Sequence, residues 1–147
     1  LEGKAVVALS EGNVVRGLTV TGGEVELPEP GYLVHVGLPY DCDAETLDVD
    51  DPQGSTLRDK RKRVSSVGLM LDKSRGGSVG KDEDNLVEIK QREDEFYDDP
   101  VALQTGMLYT VPSAQWGDAG RVFIRQSDPL PFTLLAAVPD FEIGGRS

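Results

Sequence analysis

The sequence predicts an all-β protein, an antiparallel β-sandwich preceded by part of a small β-module. Short apolar runs recur along the 147 residues, many with the two-residue alternation of a half-buried strand. Glycine, proline and asparagine, which favour turns, separate these runs. About seven strands at this spacing are typical of a sandwich. A hydrophobic content of 38% fits a folded globular chain rather than a disordered acidic one.

The first 31 residues predict the small β-module. Turn signals at Glu11–Asn13 and Gly22–Gly23 separate three short apolar runs, which are residues 5–9, 18–20 and 25–27. Because three short strands are too few for a stable sheet, we expect them to complete a sheet or barrel that begins upstream of Leu1. Pro28–Gly31 predicts a stiff linker, and therefore a boundary between domains at residues 1–31 and 32–147.

The larger domain is predicted to begin with a strand whose one face carries Tyr32, Val34, Val36 and Leu38. Alternating patterns predict further strands at 46–50, 64–73 and 107–111. Residues 85–92 fit either a strand or a short helix, and the β-rich surroundings favour the strand. Residues 116–120 predict a loop.

Residues 120–139 predict two strands joined by a corner. Val122 and Ile124 alternate with polar or aromatic neighbours, which is the pattern of a strand with one buried face. The run 132–138 is apolar nearly throughout and predicts a strand covered on both sides. Two prolines in the link lack the N–H that strand pairing needs. We therefore predict a structural corner at Asp128, Pro129, Leu130 and Pro131.

The chain is acidic, with 15 basic and 26 acidic side chains and a net charge of −11. Tight binding to nucleic acid depends on neutralising phosphates, and anionic membranes repel a negative surface, so neither is expected as a specific partner. Copies of the chain are expected to repel one another, which predicts weak self-association. No apolar run approaches the roughly 20 residues that span a bilayer, so no membrane anchor is predicted.

Histidine and cysteine, which commonly carry catalysis or bind metals, are scarce, whereas carboxylates are abundant. His35 is the only histidine and Cys42 the only cysteine, too few for a catalytic triad, a cysteine metal site or an internal disulfide. The lone cysteine predicts a reducing compartment. Carboxylates at 93–95 and 98–99 lie in polar runs, where we expect them to stay solvated rather than to form the opposed pair of a glycosidase. Two further acidic runs, which do not match an EF-hand loop, are 48–51 and 82–85.

A basic run opposes the prevailing negative charge. Its five cations fall within six residues and are Arg58, Lys60, Arg61, Lys62 and Arg63. Three interpretations stay open: a solvated loop, a contact with an acidic surface such as residues 93–99 of another copy, and a contact with a few phosphates. As a candidate site, the run is assigned to protein–protein contact.

Four stretches of the sequence together resemble one family. In chain order they are Val34–Tyr40, then Asp84–Leu86 with Ile89–Arg92, then Leu103 with Thr105–Gly106, and finally Arg125–Pro139. They resemble the C-terminal region of the tail nozzle proteins of short-tailed bacteriophages, also called tail tubular protein B. Residues 1–31 resemble the small β-module that precedes this region in such proteins.

The resemblance implies a structural protein of the virion tail, present in the host cytoplasm during assembly, with no enzymatic activity and no cofactor. Such nozzle proteins form a homo-oligomeric ring, commonly a hexamer, that joins other tail proteins such as the adaptor. The ring continues the DNA channel and retains or releases the genome, and duplex DNA passes without specific binding. A negative wall suits this role because it repels DNA.

Two alternatives stay open. One is a carbohydrate- or receptor-binding β-sandwich module of a virion or prophage, since exposed aromatic rings such as Trp116 and Tyr97 can stack on sugars. The other is a carboxylate hydrolase, which would need two acids in opposed environments about 5–9 Å apart. With only 6% aromatic residues, core or interface packing is the default interpretation of the rings.

Overall fold

The computed structural model describes residues 1–50, 56–92, 99–112 and 116–146. These residues form ten β-strands, and no helix occurs among them. The strands are β1 (Ala5–Ser10), β2 (Asn13–Thr19), β3 (Val34–Gly37), β4 (Cys42–Glu45), β5 (Lys60–Ser74), β6 (Ser78–Gly80), β7 (Leu86–Glu88), β8 (Gln104–Thr110), β9 (Phe123–Gln126) and β10 (Thr133–Arg146).

All strand pairings in the described residues are antiparallel, and they form three sheets. The first sheet has the order β2-β1-β3, the second β10-β5-β8, and the third β4-β9-β6-β7. The predicted all-β, antiparallel fold class is therefore confirmed.

The second and third sheets share one hydrophobic core. From β5 come Val67, Leu69 and Leu71, every second residue of the strand, so that one face of β5 is buried. From the opposite sheet come Val79 of β6 and Ile124 of β9. Two sheets that bury their facing side chains in this way form the predicted β-sandwich. The predicted burial of Ile124 is confirmed as well.

The strand that was predicted to open the larger domain pairs elsewhere. β3 lies beside β1, with His35 opposite Leu9, and so completes the first sheet. Glu11 accounts for this placement, because its carboxylate accepts hydrogen bonds from the N–H groups of Tyr32 and Leu33 at 2.7 and 2.8 Å. The strand predicted at 25–27 does not form, and β3 takes the position beside β1. The first sheet therefore extends past the boundary predicted at residue 31.

Three other element predictions needed correction. The run 132–138 is covered on one side only: Leu134 and Ala137 pack against the core, while Leu135 and Val138 are exposed. No strand forms at 46–50, although the N–H of Thr46 continues the β4–β9 pairing by donating to Val122 O at 3.0 Å. Of residues 85–92, only β7 is a strand.

Candidate interaction surfaces

The basic run lies mostly within a strand. Lys60, Arg61, Lys62 and Arg63 are the first four residues of β5 and pair with the end of β10, where Arg63 lies opposite Glu142 and Lys62 opposite Ile143. The solvated loop that the sequence left open is therefore wrong for these four residues. Strand geometry places successive side chains on opposite faces, so the five cations do not form one surface.

Lys62 is buried, with 2% of its surface exposed. Its Nζ donates a hydrogen bond of 2.7 Å to the carbonyl oxygen of Asp118. Its backbone N–H and C=O both bond to Gly117, at 2.6 and 2.8 Å. The predicted role of Lys62 in protein–protein contact is wrong, because this side chain anchors the loop 116–120 from inside the protein.

Two other cations of the run are engaged within the chain. Arg63 forms an ion pair with Glu142 at 2.9 Å, and its guanidinium lies 5.6 Å from the centre of the Trp116 ring. Arg58 forms an ion pair with Asp50 at 3.1 Å. Arg61 is exposed and makes no ion pair with a described residue. A contact with another protein remains a prediction for the exposed cations of the run.

A cleft of about 500 Å³ lies beside Trp116. Its lining brings together the indole ring, which is partly exposed, and charged side chains that include Lys81, Asp82 and Arg121. An aromatic wall with hydrogen-bonding side chains around it is the composition of many small-molecule sites. Tyr97, the other ring predicted for such a cleft, lies outside the described residues, as do Phe96 and the carboxylates at 93–95 and 98.

The corner residues Asp128, Pro129, Leu130 and Pro131 connect β9 in the third sheet to β10 in the second. Asp128 also forms an ion pair with Arg16 of β2, which joins the corner to the first sheet. The Pro131 carbonyl accepts a hydrogen bond of 2.9 Å from the N–H of Arg75. The corner therefore connects all three sheets, a role that the proline pattern alone did not indicate.

Arg75 makes a second connection between the first sheet and the sandwich. Its guanidinium donates to the carbonyl oxygens of Gly12, in the β1–β2 turn, and of Val101, at 2.7 Å for the latter. Burial lowers the pKa of Arg75, and the nearby carboxylate of Asp128 raises it. A guanidinium remains charged after such a shift, so Arg75 links these two backbone segments as a permanent cation.

Two arginines near the β4–β9 pair hold exposed carboxylates. Arg125 binds Asp43 through two hydrogen bonds of 2.7 and 2.8 Å, and Arg121 binds Asp48. Hydrogen bonding to these guanidinium groups lowers the pKa of Asp43 and of Asp48. The pKa of Glu2 is lowered too, chiefly because Gly22 N–H and Gly23 N–H donate to its carboxylate.

We expect these ion pairs to make stability fall in acid. A carboxyl group whose pKa is lowered on folding stabilises the protein above its unfolded pKa of about 4. That contribution is lost as the pH falls through the lower, folded pKa. Melting temperatures measured from pH 7 to pH 3 should decline less steeply for the double variant Asp43→Asn/Asp48→Asn than for the wild type. Asp140→Asn is the control, since its carboxylate makes no ion pair with a described residue, and equal declines in all three proteins would contradict the expectation.

The outer face of the second sheet is a candidate interaction surface that was not predicted from the sequence. Met70, Met107, Tyr109 and Val138 are exposed there on neighbouring strands. The sequence indicates this face through strands in which both the inward-facing and the outward-facing positions are apolar, for example in 132–138. That pattern was interpreted as burial on both sides of the strand.

The isolated histidine and cysteine lie on strands of different sheets, His35 in β3 and Cys42 in β4, and both are exposed. The described residues contain no group of three or more His, Cys, Asp or Glu that could hold a metal ion. The described part of the chain also contains no helix that could span a bilayer.

Comparison of the chain with protein-family models and with curated proteins finds no match.

Proposed function

We propose that this chain is part of a structural protein of a phage tail, a ring-forming nozzle that continues the DNA channel and retains or releases the genome. The proposal begins from the four stretches, in order along the chain, that resemble nozzle proteins. Its main structural support is where those stretches lie in the fold.

Three of the four stretches converge on the end of β5 and its connection to β6, a segment that includes Lys73, Arg75 and Gly76. From the second stretch, Gln91 accepts a hydrogen bond of 2.6 Å from the N–H of Gly76. From the third, Thr105 accepts one of 2.9 Å from the N–H of Lys73. From the fourth, Gln126 donates one of 2.9 Å to the carbonyl of Arg75.

Gln91 and Gln126 are both buried. Because little water reaches them, the backbone groups that they bind have few other hydrogen-bond partners, so these bonds hold the connection in place. This convergence supports the view that these three stretches resemble the nozzle family as parts of one framework rather than as separate short matches.

Electron microscopy of the natural protein that contains this chain tests the proposal. We expect closed rings with a central channel, and no retention of short duplex DNA by those rings at physiological salt, because the chain carries a net charge of −11. A protein that stays monomeric at the concentrations used for electron microscopy would contradict the proposal, and so would rings that bind DNA with a steep salt dependence.

The cleft beside Trp116 favours a second candidate, a carbohydrate- or receptor-binding module. The indole ring is 38% exposed and lines the cleft together with charged side chains. Trp116 is the only tryptophan in the sequence, so its fluorescence reports directly on this cleft. Titration with host surface polysaccharide should shift the emission if the cleft binds carbohydrate, and an unchanged spectrum at saturating polysaccharide would exclude carbohydrate binding there.

A further inference from the structure

The outer face of the β10-β5-β8 sheet is apolar across all three strands. Because Leu69 and Leu71 point into the core, Gly68 and Met70 point outward. Cross-strand partners share a face, so two outward rows follow from the pairing: Ala136–Met70–Met107 and Val138–Gly68–Tyr109. The exposed fractions are 45% for Met70, 46% for Met107, 74% for Tyr109 and 53% for Val138.

Asp72 and Asp140 lie at the two ends of this face, and no charged residue interrupts it between them. Segments 66–71, 101–112 and 129–139, which include the outward rows, contain no Asp, Glu, Lys or Arg, in a chain with 28% charged residues. Folding requires apolar side chains only on the inner side of the sheet. A large apolar patch on the outer side is the kind of surface that proteins use to bind one another.

The edge of the sheet at β8 is also open. One side of β8 pairs with β5, and its other side pairs with no strand of the described residues. Charged residues and proline commonly protect such edges from pairing with another chain, and β8 has neither. The opposite edge, β10, contains Pro139 and three shifts of register. Of the two edges, β8 is therefore the one suited to association.

The size of the patch fits an interface. Six exposed side chains at roughly 100 Å² each amount to about 600 Å², close to the roughly 800 Å² that each partner contributes to a standard interface. They are Met70, Met107, Tyr109, Val111, Leu135 and Val138.

We propose that a second copy of this chain covers this face, with β8 at the centre of the contact. The charge of −11 makes copies repel, and two copies meet with few opposed carboxylates at the part of this face between Asp72 and Asp140, which has none. The inference deepens the proposed function by naming the surface through which copies meet, and it rests on that function only for the closure of a ring.

Salt gives this contact a distinctive signature. Added salt screens the repulsion between the acidic copies and leaves an apolar contact intact, so association should strengthen as salt rises. A contact made by the basic run would weaken instead. At low salt the chain should associate weakly, as its charge predicts.

Sedimentation velocity of the 147-residue chain at low and high salt is the test. We expect association that grows with salt, and a dissociation constant at least about 30-fold higher for Met70→Lys/Met107→Lys. Leu47→Lys is the matched control, because it adds a lysine at an apolar residue that is 87% exposed and lies off this face. It should associate like the wild type at high salt, and circular dichroism checks that each variant is folded.

A chain that stays monomeric at high salt, or a double variant that associates as strongly as Leu47→Lys, would overturn the inference. Electron microscopy of the natural protein with the same double substitution separates the two proposals. Intact rings would show that copies meet elsewhere while the nozzle proposal stands, and a wild-type protein that forms no rings would count against the nozzle proposal itself.

Discussion

Ile124→Asp is expected to unfold the sandwich. Ile124 is 4% exposed and lies in β9, with Ala44 of β4 on one side and Val79 of β6 on the other. A carboxylate there would lose its hydration without gaining a partner, at a cost of about 4 kcal/mol or more. Since small domains have only about 5–15 kcal/mol of stability, most of the folded population should be lost. Urea denaturation followed by circular dichroism measures the effect.

Two variants make this expectation specific. Leu47→Asp introduces the same carboxylate at a side chain that is largely exposed, and it should change the unfolding free energy by less than about 0.5 kcal/mol. Ile124→Val removes one buried methylene and should cost about 1 kcal/mol. A folded Ile124→Asp protein with a midpoint near that of Leu47→Asp would show that β9 does not lie in the core.

Lys62→Ala is expected to be the most damaging change within the basic run. The substitution removes the donor to the Asp118 carbonyl and the aliphatic stem against which Gly120 packs. The packing is close, since a Cβ added to Gly120 would lie 3.0 Å from Lys62 Cδ. Loss of the buried hydrogen bond and of packing together should cost about 2–4 kcal/mol. Chemical denaturation gives this value. Trp116, in the anchored loop, should show a red-shifted emission in the folded variant because the ring becomes more exposed.

The neighbouring positions supply the controls. Lys62→Met keeps most of the stem and loses only the donor, so its cost should lie between those of the wild type and Lys62→Ala. Arg61→Ala changes an exposed cation and should be nearly neutral for stability. Equal effects of Lys62→Ala and Arg61→Ala would mean that Lys62 is a surface residue, as the sequence analysis assumed.

This difference bears on how the basic run is tested for protein contact. Changing all five cations together would destabilise the fold through Lys62 and disturb the Arg63–Glu142 pair, so reduced assembly would not identify a contact. Lys60 and Arg61 are the cations to change if binding alone is to be measured.

Local patterns in the sequence were sufficient for the fold class and for the corner. Val122 and Ile124 are buried, as the alternation in β9 predicted. Asp128–Pro131 lies between two sheets, where the prolines predicted that pairing would break. Both features depend on neighbouring residues only, because strand faces repeat every two residues and proline lacks an N–H wherever it lies.

The tertiary structure alone decided what covers each surface. Lys62 is buried because the carbonyl of Asp118, 56 residues further along the chain, accepts its hydrogen bond. β3 joins the first sheet because the Glu11 carboxylate binds the chain just before it. The apolar first half of β10 has one open face because no described element packs there. Which side of a strand is buried depends on segments that are far away in sequence. The alternation of polar and apolar residues within the strand cannot specify those segments.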